Sequence, residues 1–180
     1  MNNFAIAKIL RHMHSTRNVF LKVYPADQIP SRNEITTYPC CFVANTDPSW
    51  MPGTHWVAVF IGRNGRVEYF DSYGRRPMSP KMKAFCGTDY IYNPKVVQSI
   101  FSALCGHFCI YFLAQRCSGK SVTNIIKQFD ENNALYNENL VLTFVHSRFP
   151  HHKLSCGGKS VHQKCKAKAC RRANNLVRIV

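Results

Sequence analysis

The stretch that most constrains the fold is LCGHFCIYFLAQ, residues 104–115. It is apolar nearly all the way round a helical wheel, so a helix here cannot lie on a surface with one dry stripe. It must be covered on every side, which requires a sheet and further helices packed around it. A chain of 180 residues with 46% hydrophobic and 12% aromatic residues can build such a core.

The covering elements can be read from local patterns. THWVAVFIG (54–62) and RVEYFD (66–71) read as strands, and Arg63-Asn64-Gly65 between them favours the positive φ angles of a hairpin turn. CCFVANT (40–46) is a third strand, followed by the loop DPSWMPG. Ile6, Ile9, Leu10 and Met13 recur at helical spacing near the start. Ser79-Pro80 fits an N-cap and first-turn proline for a short helix through Ala84. Ser121 caps a helix over residues 122–129, with Gly119 closing the one before it. Leu140, Phe144 and Val145 mark a last helix ending near Phe149-Pro150. The expected fold is α+β: a small antiparallel sheet packed on the central buried helix, with peripheral helices around it.

From His151 onward the periodicity stops, so a domain over 1–150 and a basic, disordered tail over 151–180 are expected. The net charge is +15, and residues 151–180 hold eight Lys/Arg with no Asp/Glu, leaving +7 on the remainder. Both parts favour a polyanion, DNA, RNA or an acidic membrane face, bound through its phosphates, although a solvated basic face without a partner has the same composition. No apolar run reaches the roughly 18 residues of a membrane span, and the first residues lack a signal-like h-region, so a protein that is not secreted is expected. Nine cysteines is an odd number without disulfide-scaffold spacing, which suits reduced, buried, catalytic or metal-bound thiols.

Three of those cysteines lie on the central helix, in unequal places. Cys105 starts it, where the helix dipole favours a thiolate, and Gly106 beside it would leave room for a substrate backbone. Cys109 faces inward one turn later, and Cys117 sits at the unfavourable end of the dipole, so both read as packing residues. Among eight histidines, His55 opens a strand after a Pro-Gly loop, a rigid yet accessible place for a general base. Asp71 ends the second hairpin arm, and antiparallel pairing brings that end to the same edge as His55. Gln98, seven residues before Cys105, offers an amide beside the Cys105 backbone N–H for an oxyanion. The same residues also fit a structural reading: a buried thiol, a histidine packed beside Trp56, and an aspartate capping the Asp-Ser-Tyr-Gly turn. The residue pattern alone leaves both readings open.

Taken together and in order, GTHWVAVF, YFDSYG, Gln98 and CGHFC resemble the adenovirus-type cysteine proteases, including those of Polinton-like and adenovirus-like mobile elements. The resemblance covers about residues 36–150. It implies a papain-like, adenain-type fold with His55 as base, Asp71 as its acid partner, Gln98 in the oxyanion hole and Cys105 as nucleophile. Adenoviral enzymes commonly carry Glu where this chain has Asp71, whereas related families use Asp. The resemblance further implies a monomeric endopeptidase acting on structural precursor proteins in the virion and host nucleus, without a metal or a cofactor for the chemistry itself. It also implies DNA and an activating viral peptide as partners, the peptide tethered by a disulfide for which Cys86 is the candidate. SUMO- and ubiquitin-like-protein proteases share the residue order and the C-G-x-F helix. They give a second reading, although Ala103-Leu104 stands here where that group has Asp before the helix. A third is a non-catalytic, basic DNA-binding protein. In the tail, Cys156, His162, Cys165 and Cys170 resemble a zinc knuckle only loosely in spacing, and a basic arm on DNA is preferred.

Overall fold

The computed structural model describes residues 1–149; the tail over 151–180, with its cysteines, and the boundary near residue 150 lie outside the described residues. Five strands follow one another across a single sheet: β1 (Phe20–Tyr24), β2 (Cys40–Asn45), β3 (Trp56–Ile61), β4 (Val67–Phe70) and β5 (Tyr90–Tyr92). The helices are α1 (Asn3–His12), α2 (Pro80–Cys86), α3 (Cys105–Cys117), α4 (Val122–Ile126) and α5 (Ala134–Arg148). Their arrangement is the expected α+β class.

β2 and β3 read as continuous apolar runs because both faces of the sheet are covered. Alternate side chains enter two separate cores. Cys41, Val43, Ala58 and Phe60 face α3 and the helices around it, while Phe42, Ala44, Val57 and Val59 face α2. The centre of the sheet is antiparallel, as expected, with Cys40 opposite Ile61 through Asn45 opposite Trp56, and Ala58 opposite Phe70. Its edges differ from the expectation: β1 and β5 pair in parallel with β2 and β4. Parallel edges need crossovers instead of tight turns, so a hairpin search does not find them.

The helix signals translate closely. Ser79 caps α2 by accepting from the Met82 N–H, and the helix runs on to Cys86, where Gly87 closes it at φ 66°. α4 stops at Ile126, three residues before the expected Phe129. The chain turns there because Phe129 leaves the helical path to pack on Phe70, Phe108 and Tyr111. α3 is buried continuously from Cys105 to Ala114, between β3 and the helices α1, α4 and α5.

One ion pair locks α3 to the sheet. The Arg116 guanidinium donates to both oxygens of Glu68 on β4, at 2.5 and 2.9 Å, and stacks 4.4 Å from the Phe60 ring centroid. A bidentate pair this sheltered leaves a costly unpaired charge when one partner is removed. Glu68→Ala is therefore expected to lower stability by roughly 1–3 kcal/mol in urea unfolding.

Candidate active site

His55 directly precedes β3, and its backbone is anchored: its carbonyl accepts from the Thr46 N–H at 2.9 Å and is 3.3 Å from the Thr46 hydroxyl. The loop before it closes at Gly53, φ 76°, where an added Cβ would lie 2.2 Å from the Asn45 amide nitrogen. Asp71 directly follows β4, at the same edge of the sheet. Nε2 of His55 lies 2.8 Å from Oδ1 of Asp71; the carboxylate can only accept, so Nε2–H donates. The same Oδ1 accepts from the Tyr73 N–H at 2.8 Å. Asp71 thus caps its turn and holds the histidine, combining the two roles that the residue pattern leaves as alternatives.

The other ring nitrogen, Nδ1, is buried and has no hydrogen-bond partner of good geometry among the described residues. It is the position that remains for Cys105, the first residue of α3, as catalytic contacts in a substrate-free site are often loose. Burial by itself pushes the His55 pKa down, but hydrogen bonding to Asp71 and interaction with the Cys105 sulfur outweigh it and hold the ring at about 9. Tyr73 stacks on the imidazole, with centroids 4.8 Å apart. The residue pattern does not single out this ring as part of the candidate site, although it lies within YFDSYG.

A pKa raised above the ordinary 6.5 stabilises the fold fully below pH 6.5, and that contribution disappears as pH rises through about 9. Unfolding free energy is therefore expected to fall by roughly 1–3 kcal/mol between pH 6 and 9.5. Urea melts should show a smaller fall in His55→Gln.

Gln98 reaches the site through backbone pairing: the Val97 and Gln98 N–H groups both donate to the Ser72 carbonyl, at 2.9 and 3.2 Å. Asn93 supports that turn by donating to the Asp71 carbonyl. Gly74 is needed at φ 67°, since an added Cβ would lie 2.6 Å from the Pro94 carbonyl oxygen. The Gln98 side chain is buried. Its carbonyl accepts from the Ser72 hydroxyl at 2.7 Å, and Nε2 donates to the Ser102 carbonyl at 2.8 Å. The remaining contacts of Nε2, to the Ser102 and Tyr73 hydroxyls at 3.2 and 3.4 Å, are longer, and that N–H is the one an oxyanion could take.

Gly106 also has a packing role: a Cβ there would lie 3.0 Å from Cδ1 of Ile6, so its small size admits α1 against α3. The indole N–H of Trp56, beside His55, donates to Asn3 on that same helix at 2.6 Å. His107 is buried with neither ring nitrogen partnered among the described residues, and burial lowers its pKa to about 4, so it is neutral and unsuited to the base role. Cys109 is buried and its thiol pushed up by desolvation, consistent with packing. Cys86 is also buried, with its thiol raised to about 12, so a disulfide tether there requires the surrounding core to open. No cluster of potential metal ligands occurs among the described residues. No helix among them is long and apolar enough to cross a membrane.

The fold is that of a papain-like cysteine protease. The crystal structure of the African swine fever virus protease superposes with a TM-score of 0.51 at 20% identity, over 76% of this chain and 65% of that one. Sequence relatives are viral. A protein of Acanthamoeba polyphaga mimivirus named "Putative thiol protease" is 31% identical over 128 residues, covering 62% of this chain and 41% of its own length. A cysteine protease of African swine fever virus is 35% identical over 71 residues, covering 34% of this chain and 25% of its own length. Its counterpart in another isolate, named SUMO-1 cysteine protease, is also 35% identical over 71 residues, covering 35% and 26%. The chain spans less than half the length of these curated relatives. No protein-family profile matches it.

Proposed function

We propose that this chain is a cysteine endopeptidase of the viral type, using Cys105, His55, Asp71 and Gln98. The observation that carries the reading is the pairing of His55 Nε2 with Asp71 at 2.8 Å, which leaves Nδ1 to the thiol at the start of a buried helix. The names of the relatives support the same chemistry.

In the proposed cycle the Cys105 thiolate attacks the scissile carbonyl, and the oxyanion takes the Cys105 N–H and one Gln98 N–H. As the first residue of α3, Cys105 has an amide with no intrahelical acceptor. The imidazolium of His55 gives its proton to the leaving amine. The neutral ring then takes a proton from water as its oxygen attacks the acyl carbon; the Cys105 sulfur leaves as thiolate, and the thiolate–imidazolium pair is restored. Asp71 keeps the ring in the required tautomer and offsets its positive charge.

The adenovirus-type form of this reading gives virus or virus-like structural precursors as substrates, in the virion and host nucleus, with DNA as a partner. An extended polypeptide suits the flanks of the site: the loop before His55 exposes Trp50 and Met51, and the loop before Cys105 exposes Ile100 and Phe101. DNA suits the basic side chains Arg75, Arg76 and Lys83, which line a surface cavity of about 720 Å³ with Tyr90. A second reading, removal of SUMO-like modifiers, is favoured by the relatives named SUMO-1 cysteine protease.

The test is iodoacetamide labelling at pH 6 to 7, together with peptide hydrolysis with and without DNA, using Cys105→Ser as control. Fast labelling confined to Cys105 supports the protease. A Cys105 that reacts no faster than buried thiols, in folded protein that cleaves nothing, sinks it. Hydrolysis of a SUMO C-terminal reporter in preference to precursor peptides selects the second reading.

A further inference from the structure

At the end of α3 opposite Cys105 a second pair of sulfurs meets. Sγ of Cys117 lies 3.9 Å from Sγ of Cys41, a residue 76 positions away in sequence and fully buried on β2. Strand alternation selects this partner. Cys41 points to the α3 face, whereas its neighbour Cys40 points into the opposite core with Met82 and Phe85. Two thiols could pack this way for bulk alone, but Cys117 is only partly buried, and it forms a wall of a cavity of about 350 Å³. The other walls include Val19, Phe60, Arg63 and Arg116, so the cavity is both apolar and positively charged. The hydrogen bond with Cys41 and the adjacent Arg116 draw the Cys117 thiol below its ordinary range, while that contact and burial push Cys41 up. A solvent-reachable thiol of lowered pKa beside a buried partner thiol is the arrangement in which one sulfur is attacked and the other resolves it.

We propose that Cys41 and Cys117 are a redox-active dithiol, converted to an intramolecular disulfide by a hydroperoxide that reaches Cys117 through this cavity. The Cys117 thiolate attacks the peroxide oxygen; the O–O bond breaks, and with one proton the leaving oxygen departs as an alcohol or as water. The product is a Cys117 sulfenic acid. The Cys41 sulfur then displaces its hydroxyl, which leaves with the Cys41 proton as water, and the S–S bond forms. Two thiols lose two electrons and the peroxide gains them. Closing the remaining gap between the sulfurs ties β2 to the C-terminal end of α3, leaving the Cys105 end of that helix apart from the chemistry. The inference does not depend on the protease reading, since neither sulfur belongs to that site.

The experiment uses the full chain carrying Cys105→Ser, so that the proposed nucleophile does not contribute. After treatment with hydrogen peroxide at pH 7, alkylation and non-reducing digestion, the expected product is a Cys41–Cys117 cross-linked peptide pair, two mass units below the sum of the separate peptides. The oxidised protein should melt roughly 5 °C or more higher, because the cross-link restricts the unfolded chain, and dithiothreitol should reverse this. Adding Cys117→Ser, a change at a partly exposed position that keeps the fold, should abolish both effects and leave Cys41 reduced. Dimedone should trap Cys117 sulfenic acid when Cys41 is changed to Ser. Absence of the cross-link, pairing of Cys117 with a cysteine of residues 151–180 or of another molecule, or oxidation of Cys41 in the Cys117→Ser protein would overturn the proposal.

Discussion

Cys105→Ser is expected to abolish peptide hydrolysis, with kcat falling about 10⁴-fold or more while the melting temperature stays within a degree or two. The thiol and the hydroxyl are close in size, and Cys105 is packed at the start of α3, so the substitution leaves the packing there nearly unchanged. What changes is ionisation. A hydroxyl is not ionised by an imidazole near neutral pH, whereas a thiol at a helix start beside a positively charged ring can be. His55, held at about 9 by Asp71 and Cys105 against its own burial, is charged throughout the neutral range. Single-turnover hydrolysis of a fluorogenic peptide, run beside circular dichroism melts, checks both halves of this expectation. Hydrolysis that survives the substitution would assign the chemistry to another residue. An unfolded variant would be distinguished by its melt, and Cys105→Ala provides an independent truncation.

Asp71→Asn is expected to lower kcat by about 10²- to 10⁴-fold through the histidine alone. Asp71 is 2% exposed, and its Oδ1 serves both the Tyr73 N–H and His55 Nε2–H. An asparagine can keep the Tyr73 contact. It can no longer supply the negative charge that opposes desolvation, so the His55 pKa should drop from about 9. The signature is the pH profile: the alkaline limit of activity should move to lower pH, and Cys105 labelling at pH 6 to 7 should slow. A purely structural role for Asp71 would lower the melting temperature without moving that limit. Measured labelling rates and histidine titration by NMR separate the two.

Much of the architecture follows from residue patterns that need no partner to be recognised. The runs at 40–46 and 54–62 are apolar without alternation, and they prove to be strands buried on both faces. Asn64-Gly65 specifies a hairpin, and Gly65 takes φ 76°. Ser79 with Pro80 starts a helix, and residues 104–115 form a helix covered all round. The strands β1 and β5 do not stand out in the same way, because FLKVY and YIY are only partly buried and owe their strand form to parallel pairing with distant segments. The start of α5 at Ala134 is equally silent; its cap is Asn133, and Asn137 anchors it by donating to the Val97 carbonyl.

The candidate site divides along the same line. By itself the sequence determined which groups could do the chemistry: a thiol at a helix start, a histidine before one strand and an aspartate after its hairpin partner. Those placements depend on local periodicity and turn chemistry, which act over a few residues. Only the tertiary structure decided that Tyr73 stacks on the imidazole, that Ser72 draws Gln98 to the site by backbone hydrogen bonds, and that Gly106 lies close against Ile6. It also separated the cysteines of the central helix a second time, giving Cys117 a partner in Cys41 rather than a packing role alone. Contacts between residues tens of positions apart depend on how strands and helices close against one another, and that closure is a property of the whole core that no short stretch of residues carries.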